Sequence, residues 1–137
     1  MQQYDWECGS KFDWTYEFSE KYIKQIFRCI DVREGSITFT VDNVYPINQD
    51  LIMFRLTEKN GKCYLSDCER SHYFYSKYFD ATDQFREDFV AILKEYHIKI
   101  EKNNALSICV NDYYGLMQAI VYFSIAIDRI ARLPYRF

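Results

Sequence analysis

Two cysteines and a histidine are spaced along the chain in a way that could hold a metal ion. Four residues separate Cys63 from Cys68, and three separate Cys68 from His72. A tetrahedral zinc site needs four ligands and usually takes two of them from a Cys-x-x-Cys pair. The pair here is wider, and a fourth ligand such as Cys8 or His97 would have to come from elsewhere. We therefore interpret Cys63 as a small apolar strand residue and His72 as a helix surface residue, and we predict neither metal nor cofactor.

A thiol beside an imidazole could also act as a nucleophile, and Cys68 would need His72 or His97 as its base. His97 follows a predicted helix, where a cation suits the helix dipole, so we interpret it as a helix-end residue. The sequence also lacks a phosphate-binding glycine loop, a Gly-x-Ser-x-Gly elbow and a His-Glu-x-x-His pair. These absences argue against the commonest nucleotide-binding and hydrolytic enzymes. No catalytic residue is predicted.

Four carboxylates gather in the first predicted β region and form an alternative acidic site: Asp42, Asp50, Asp67 and Glu69. Convergent carboxylates can hold Mg²⁺ and support nuclease chemistry. Such an enzyme also needs a lysine positioned beside them, and the only close match, Lys59, falls in a predicted turn. We favour a structural interpretation in which Asp67 or Ser66 caps a helix. A metal-dependent nuclease-like enzyme remains the alternative hypothesis.

Aromatic residues make up 19% of the chain, with 13 tyrosines and 11 phenylalanines, and the formal net charge is −3. Tyrosine suits a wet interface because its ring is apolar and its hydroxyl is polar. The basic residues are interspersed with acidic ones, so a protein partner is favoured over nucleic acid. The residues that we predict to bind the partner are Tyr73, Tyr75, Tyr78, Trp6, Tyr113 and Tyr114.

The predicted order of elements is α-β-β-β-α-α-β-β-α. Apolar residues spaced by three and four predict a first helix from about Asp13, with Ile30 in its apolar stripe. Alternation of period two predicts the strands, and Asn60-Gly61 marks a hairpin turn. The sequence predicts a single α+β domain, residues 1–137, with a three-stranded antiparallel meander and a second hairpin. These strands pack against an N-terminal helix, two middle helices and a long apolar C-terminal helix.

The C-terminal helix, predicted from about Asp112 to Arg132, has two apolar stripes. One can pack on the sheet, and it comprises Leu116, Ile120, Phe123, Ile127 and Ile130. The other comprises Met117, Val121, Ser124 and Ile125. Either the first helix covers the second stripe, which we favour and which gives a monomer, or a second subunit covers it and the protein is a homodimer.

The segment from Thr40 to about Ile130 resembles a family of unknown function found in phage and bacterial mobile-element proteins. The matching pieces are Pro46, Asp50 before Leu51-Ile52, and Tyr64-Leu65-Ser66-Asp67. A helix ending in Glu95-Tyr96-His97, a hairpin at 98–109 and an apolar last helix extend the likeness. Cys68-Glu69 stand where the family usually has Asp-Gly. The resemblance implies this architecture and a phage or mobile-element setting, and it implies no activity.

Five cysteines spread over predicted helices and strands indicate free thiols in a reducing compartment. The N-terminus has no basic start and no apolar run, so no signal peptide is predicted. The last helix is the longest apolar segment, but it contains Asp112, Asp128 and Arg129 and is interpreted as a buried helix rather than a membrane span. The expected location is the cytoplasm. The leading hypothesis is a non-catalytic phage or mobile-element protein that binds a host macromolecule such as a defence nuclease, with inhibition as its stronger form. A dimeric structural protein is the third hypothesis.

Overall fold

The computed structural model describes residues 28–33, 35–45, 50–59 and 62–135, with only the backbone at 28–30, 32, 42–44, 59 and 113. Within these ranges the strands are β1 (Arg28–Arg33), β2 (Ser36–Val44), β3 (Leu51–Lys59), β4 (Lys62–Ser66), β5 (Lys99–Ile100) and β6 (Leu106–Val110). The helices are α1 (Arg70–Tyr78), α2 (Asp83–Glu95) and α3 (Tyr113–Ala131). The α+β class is confirmed.

The described strands form one antiparallel sheet in the order β1-β2-β3-β4-β6-β5. The meander is β2-β3-β4, in which Phe39 pairs with Phe54 and Leu56 with Leu65. The hairpin β5-β6 joins the same sheet because β6 pairs with β4, Leu65 lying opposite Ile108. The chain therefore crosses from β4 through α1 and α2 before it returns beside β4.

The first strand corrects the prediction for the first helix. We expected helix to continue through Ile30, but Arg28–Arg33 is an edge strand paired with β2, with Val32 opposite Ile37. Gly35 lies in the following turn at φ 75°, a left-handed conformation that glycine adopts without steric cost. Pairing with β2 gives the backbone groups of this segment hydrogen-bond partners. The apolar spacing within the segment does not indicate that such a partner strand exists. The rest of the predicted helix lies outside the described residues.

The core lies between the sheet and α3. The strands contribute alternate buried side chains, such as Phe39 on β2 and Phe54 on β3. From α3, Leu116, Phe123 and Ile130 are fully buried, and the rings of Phe54 and Phe123 lie 5.2 Å apart between centroids. In the described part of the chain, no helix combines the length and the apolar character needed to cross a membrane.

The cysteines differ from the expectation of five free thiols. Cys63 and Cys68 are free, and Cys63 is fully buried in β4. Cys109 in β6 is instead disulfide-bonded, to a cysteine whose side chain lies outside those described. The prediction is therefore wrong for Cys109.

Candidate functional site

A buried carboxylate organises the junction between β4 and α1. The Asp67 side chain is fully buried and its Oδ1 accepts from the backbone N–H groups of Glu69 at 3.1 Å and Leu106 at 2.9 Å. Its Oδ2 accepts from the Ser71 N–H at 3.1 Å. Asp67 or Ser66 was expected to cap α1, but the N-cap residue is Glu69, which makes no side-chain cap. Asp67 instead supports the first turn of α1 from two residues before the N-cap, through its bond from the Ser71 N–H. The bond to Leu106 also fastens β6 to this junction.

The two residues between Asp67 and α1 both have a left-handed backbone, with φ 58° at Cys68 and 66° at Glu69. For residues other than glycine this conformation costs about 1–2 kcal/mol each. The neighbouring side chains hold it, since Ser66 Oγ accepts from the Cys68 N–H at 3.2 Å and Asp67 accepts from the Glu69 N–H. The tight turn starts α1 immediately after the strand and so fixes which helix face meets solvent.

Burial raises the pKa of three groups at this junction. Burial raises the pKa of the Asp67 carboxyl group, and hydrogen bonds from Ser71 and Leu106 offset part of the effect. Burial likewise raises the pKa of the Tyr45 hydroxyl, which lies 3.3 Å from the Ser71 hydroxyl. Burial also raises the pKa of the Cys68 thiol. A reactive cysteine needs the opposite shift, so this environment opposes nucleophilic chemistry at Cys68.

The three described carboxylates of the alternative acidic site do not act as a set. Asp67 spends both oxygens on backbone N–H groups, and Asp50 is exposed, with Oδ2 3.8 Å from Arg70 Nη2. Glu69 is exposed, and the side chain of Asp42 is outside those described. Among the described side chains no three of the His, Cys, Asp and Glu type lie close enough together to hold a metal ion. Cys63 is fully buried, whereas His72 is exposed on α1.

The exposed face of α1 carries the most accessible ring of the region. Tyr73 is 61% exposed and lines two adjoining depressions. One has a volume of about 290 Å³, and its other lining residues are Asp50, Cys68, Glu69, Arg70 and Phe74. The second has a volume of about 600 Å³, and its other lining residues are Glu69, His72, Ser76, Lys77 and Asn103. We call the face formed by Arg70, Tyr73, Lys77 and these depressions the Tyr73 surface.

The Tyr73 ring is braced by neighbours on both sides. Its centroid lies 5.5 Å from that of Phe74 in an edge-to-face arrangement, and Phe74 is buried against Tyr45, 4.7 Å away. The Lys77 ammonium lies 5.9 Å from the Tyr73 centroid and 5.5 Å from that of Tyr78. Attraction between a cation and an aromatic face is worth about 0.5–1 kcal/mol at exposed sites. The ring is therefore presented to solvent with a restricted orientation.

The other predicted partner-binding residues have different surroundings. The prediction that Tyr75 binds a partner is wrong, because its side chain is only 5% exposed. Its ring packs edge-to-face against Phe79 and Phe89, with centroid distances of 5.9 and 5.1 Å. Tyr78 is half-buried. Tyr114 is 73% exposed but belongs to α3. Only the backbone of Tyr113 is described, and Trp6 lies outside the described residues.

From the sequence, Arg70 and Lys77 were considered only among the basic residues that could touch nucleic acid, and they were not included in the predicted partner-binding set. Arg70 and Lys77 stand three residues before and four after Tyr73, which places all three on one face of a helix. The Arg70 guanidinium lies 5.6 Å from the Phe74 ring centroid. The spacing was a usable signal, but without the helix orientation the face carrying Tyr73 could not be distinguished from the face carrying Tyr75.

Comparison of the chain with protein-family models, with curated proteins and with solved structures found no match. No relative therefore supplies a role for Tyr73 or Asp67. The functional argument rests on the geometry of the Tyr73 surface and on the chemistry of the groups around it.

Proposed function

We propose that the chain is a non-catalytic binding domain that engages another protein through the Tyr73 surface. The supporting observation is that Tyr73 is 61% exposed and stands between two depressions. Tyrosine and arginine are the common anchors of protein interfaces, because a rigid ring buries a large area at a low entropic cost. The ring is already braced by Phe74 and Lys77, so little freedom is left to lose on binding.

The charges around Tyr73 favour a polypeptide over a nucleic acid. Arg70 and Lys77 each supply positive charge to one depression, while Glu69 supplies negative charge to both and Asp50 to the one that contains Arg70. Phosphate groups would be attracted by the first pair and repelled by the second, whereas nucleic-acid sites combine several uncompensated cations. A protein surface that carries both signs can complement this arrangement.

The chemistry of the junction supports a binding role over an enzymatic one. Catalytic groups are usually poised to exchange protons near neutral pH or are activated as nucleophiles. Asp67 is instead occupied by three backbone N–H groups, and burial raises the pKa of the Cys68 thiol. These groups position α1 and its exposed face.

The proposal includes a biological setting and a target. The setting is the phage or bacterial mobile element that the sequence resemblance implies. The partner is a host macromolecule such as a defence nuclease, and binding inhibits it. The resemblance supports the setting, and the mixed-charge aromatic surface supports a protein partner.

Affinity capture from a host lysate tests the proposal. The wild-type chain and the Ile100→Ala control, which truncates an exposed apolar side chain that lines neither depression, should both recover the same partner. Tyr73→Ala should lose it, and Tyr73→Phe should retain it, because the ring and not the hydroxyl is the anchor. Recovery of no partner by the wild-type chain, or equal recovery by Tyr73→Ala, would contradict the proposal.

A further inference from the structure

Helix α3 carries a solvent-facing line of side chains on the side opposite the core. The line recurs at alternating steps of four and three residues and consists of Tyr114, Gln118, Val121, Ile125, Asp128 and Arg132. Its most accessible members are Tyr114 at 73%, Val121 at 51% and Ile125 at 40%. Arg132 ends the helix with right-handed helical dihedral angles, so it stays in line with the rest. We call this line the α3 seam.

The spacing of the α3 seam is that of a coiled coil. Alternating steps of four and three average 3.5 residues. This is the spacing at which the side chains of one helix stay in contact with a supercoiled partner helix. The other side of α3 is already used, because Leu116, Phe123 and Ile130 are buried in the core. The seam is therefore a second contact face, and 19 residues give it a length of about 28 Å.

The order of side chains along the seam is complementary to itself when reversed. Its six positions are symmetric about residue 123, so an antiparallel copy sets Val121 against Ile125 in the two central layers. Outside them Gln118 lies opposite Asp128, an amide donor facing a carboxylate. At the ends Tyr114 lies opposite Arg132, a ring facing a guanidinium. Every layer of the reversed pair thus joins groups that attract each other.

The parallel arrangement lacks this complementarity. It would set each position against its own copy, so that Asp128 faces Asp128 and Arg132 faces Arg132, and both contacts place like charges together. The antiparallel arrangement also opposes the two helix dipoles, which is favourable. The charges of the seam therefore select one orientation.

We propose that the α3 seam is the interface of an antiparallel homodimer, with a second copy of this chain as its occupant. The contact has twofold symmetry, so residue 121 of one copy meets residue 125 of the other and the reverse. Arg132 Nε already contacts Asp128 Oδ2 at 2.9 Å within the chain, and the Gln118 amide donates one hydrogen bond to the Tyr122 hydroxyl at 3.1 Å. This interface lies on α3 and is independent of the Tyr73 surface on α1.

Sedimentation of the full chain from about 1 μM to about 1 mM measures the association. The wild-type chain should pass from monomer to dimer within this range. Val121→Lys should raise the midpoint concentration at least about tenfold, because it would place one ammonium group against Ile125 in each of the two apolar layers. The control Ile100→Lys introduces the same charge at a 47% exposed apolar residue outside the seam and should leave the midpoint unchanged. A wild-type chain that stays monomeric, or a Val121→Lys chain that associates equally well, would overturn the proposal.

Cross-linking determines the orientation. A mixture of Val121→Cys and Ile125→Cys chains should give a 121–125 disulfide, located by mass spectrometry of peptides, faster than either chain alone gives a link to itself. The reason is that opposed layers bring these positions within disulfide reach, whereas identical positions are about four residues, roughly 6 Å, apart along the axis. Faster 121–121 linkage would show a parallel pair. A dimer that forms no disulfide at residues 121 and 125 would show that another interface is used. Either result would overturn the proposal.

Discussion

Replacing Asp67 with alanine should destabilise the fold more than any other single carboxylate truncation in the described junction. Three backbone N–H groups, those of Glu69, Ser71 and Leu106, would lose their acceptor. A buried donor left without a partner costs about 1–3 kcal/mol. Removing the carboxyl group also relieves its own desolvation, which offsets part of the loss. We expect a decrease of about 3–5 kcal/mol in the free energy of unfolding, against a total of roughly 5–15 kcal/mol for a domain.

Urea-induced unfolding measures this change, with the midpoint expected to fall at a nearly constant m-value. The matched control is Asp112→Ala. Asp112 caps α3 from an exposed position and accepts one N–H, that of Gly115 at 2.7 Å, so its loss should cost about 1 kcal/mol. Hydrogen exchange at the Leu106 amide should accelerate in Asp67→Ala alone. If the two variants lose equal stability, the hydrogen bonds from Asp67 to the turn, to α1 and to β6 do not stabilise the fold as argued, and the reasoning is refuted.

Two further predictions concern the same junction. Because burial raises the pKa of Asp67 above its ordinary 3.8, the folded chain holds this proton more tightly than the unfolded chain. The resulting stabilisation is complete below pH 3.8 and is lost as pH rises through the folded-state pKa. The free energy of unfolding above about pH 4 should therefore fall more steeply with pH in the wild-type chain than in Asp67→Asn, and parallel curves would count against it. Glu69→Gly should raise the free energy of unfolding by about 1 kcal/mol, because glycine adopts φ 66° without strain. Glu87→Gly, inside α2, should lower it by about 1 kcal/mol, and a loss in both variants would contradict the strain at Glu69.

The local sequence pattern was sufficient to predict an element where it fitted only one kind of secondary structure. Alternation predicted β2 and β3, and the Asn60-Gly61 hairpin signal predicted the returning strand β4. The α+β class followed from these elements. In each case the signal lies within a few neighbouring residues, so no knowledge of the rest of the chain was required.

The remaining features depend on contacts between distant residues. Arg28–Arg33 became a strand because β2 offers it hydrogen bonds, although its apolar spacing also fits a helix. The bond from Asp67 to Leu106 spans 39 residues, and no local pattern announces it. Tyr73 and Tyr75 are both tyrosines of α1, so residue type does not distinguish them. The direction in which α1 leaves the left-handed turn decides which of the two is exposed. The left-handed conformation at Cys68 and Glu69 was itself hidden, since neither residue is glycine.

The most direct test of the binding proposal is calorimetric titration of the captured partner, once purified, into wild-type, Tyr73→Ala and Ile100→Ala chains. An anchor residue contributes about 2 kcal/mol or more to the binding free energy. We therefore expect Tyr73→Ala to raise the dissociation constant roughly thirtyfold. Ile100→Ala should bind within about twofold of the wild-type chain. Equal affinities of the wild-type and Tyr73→Ala chains would contradict the claim that this protein engages its partner through the Tyr73 surface.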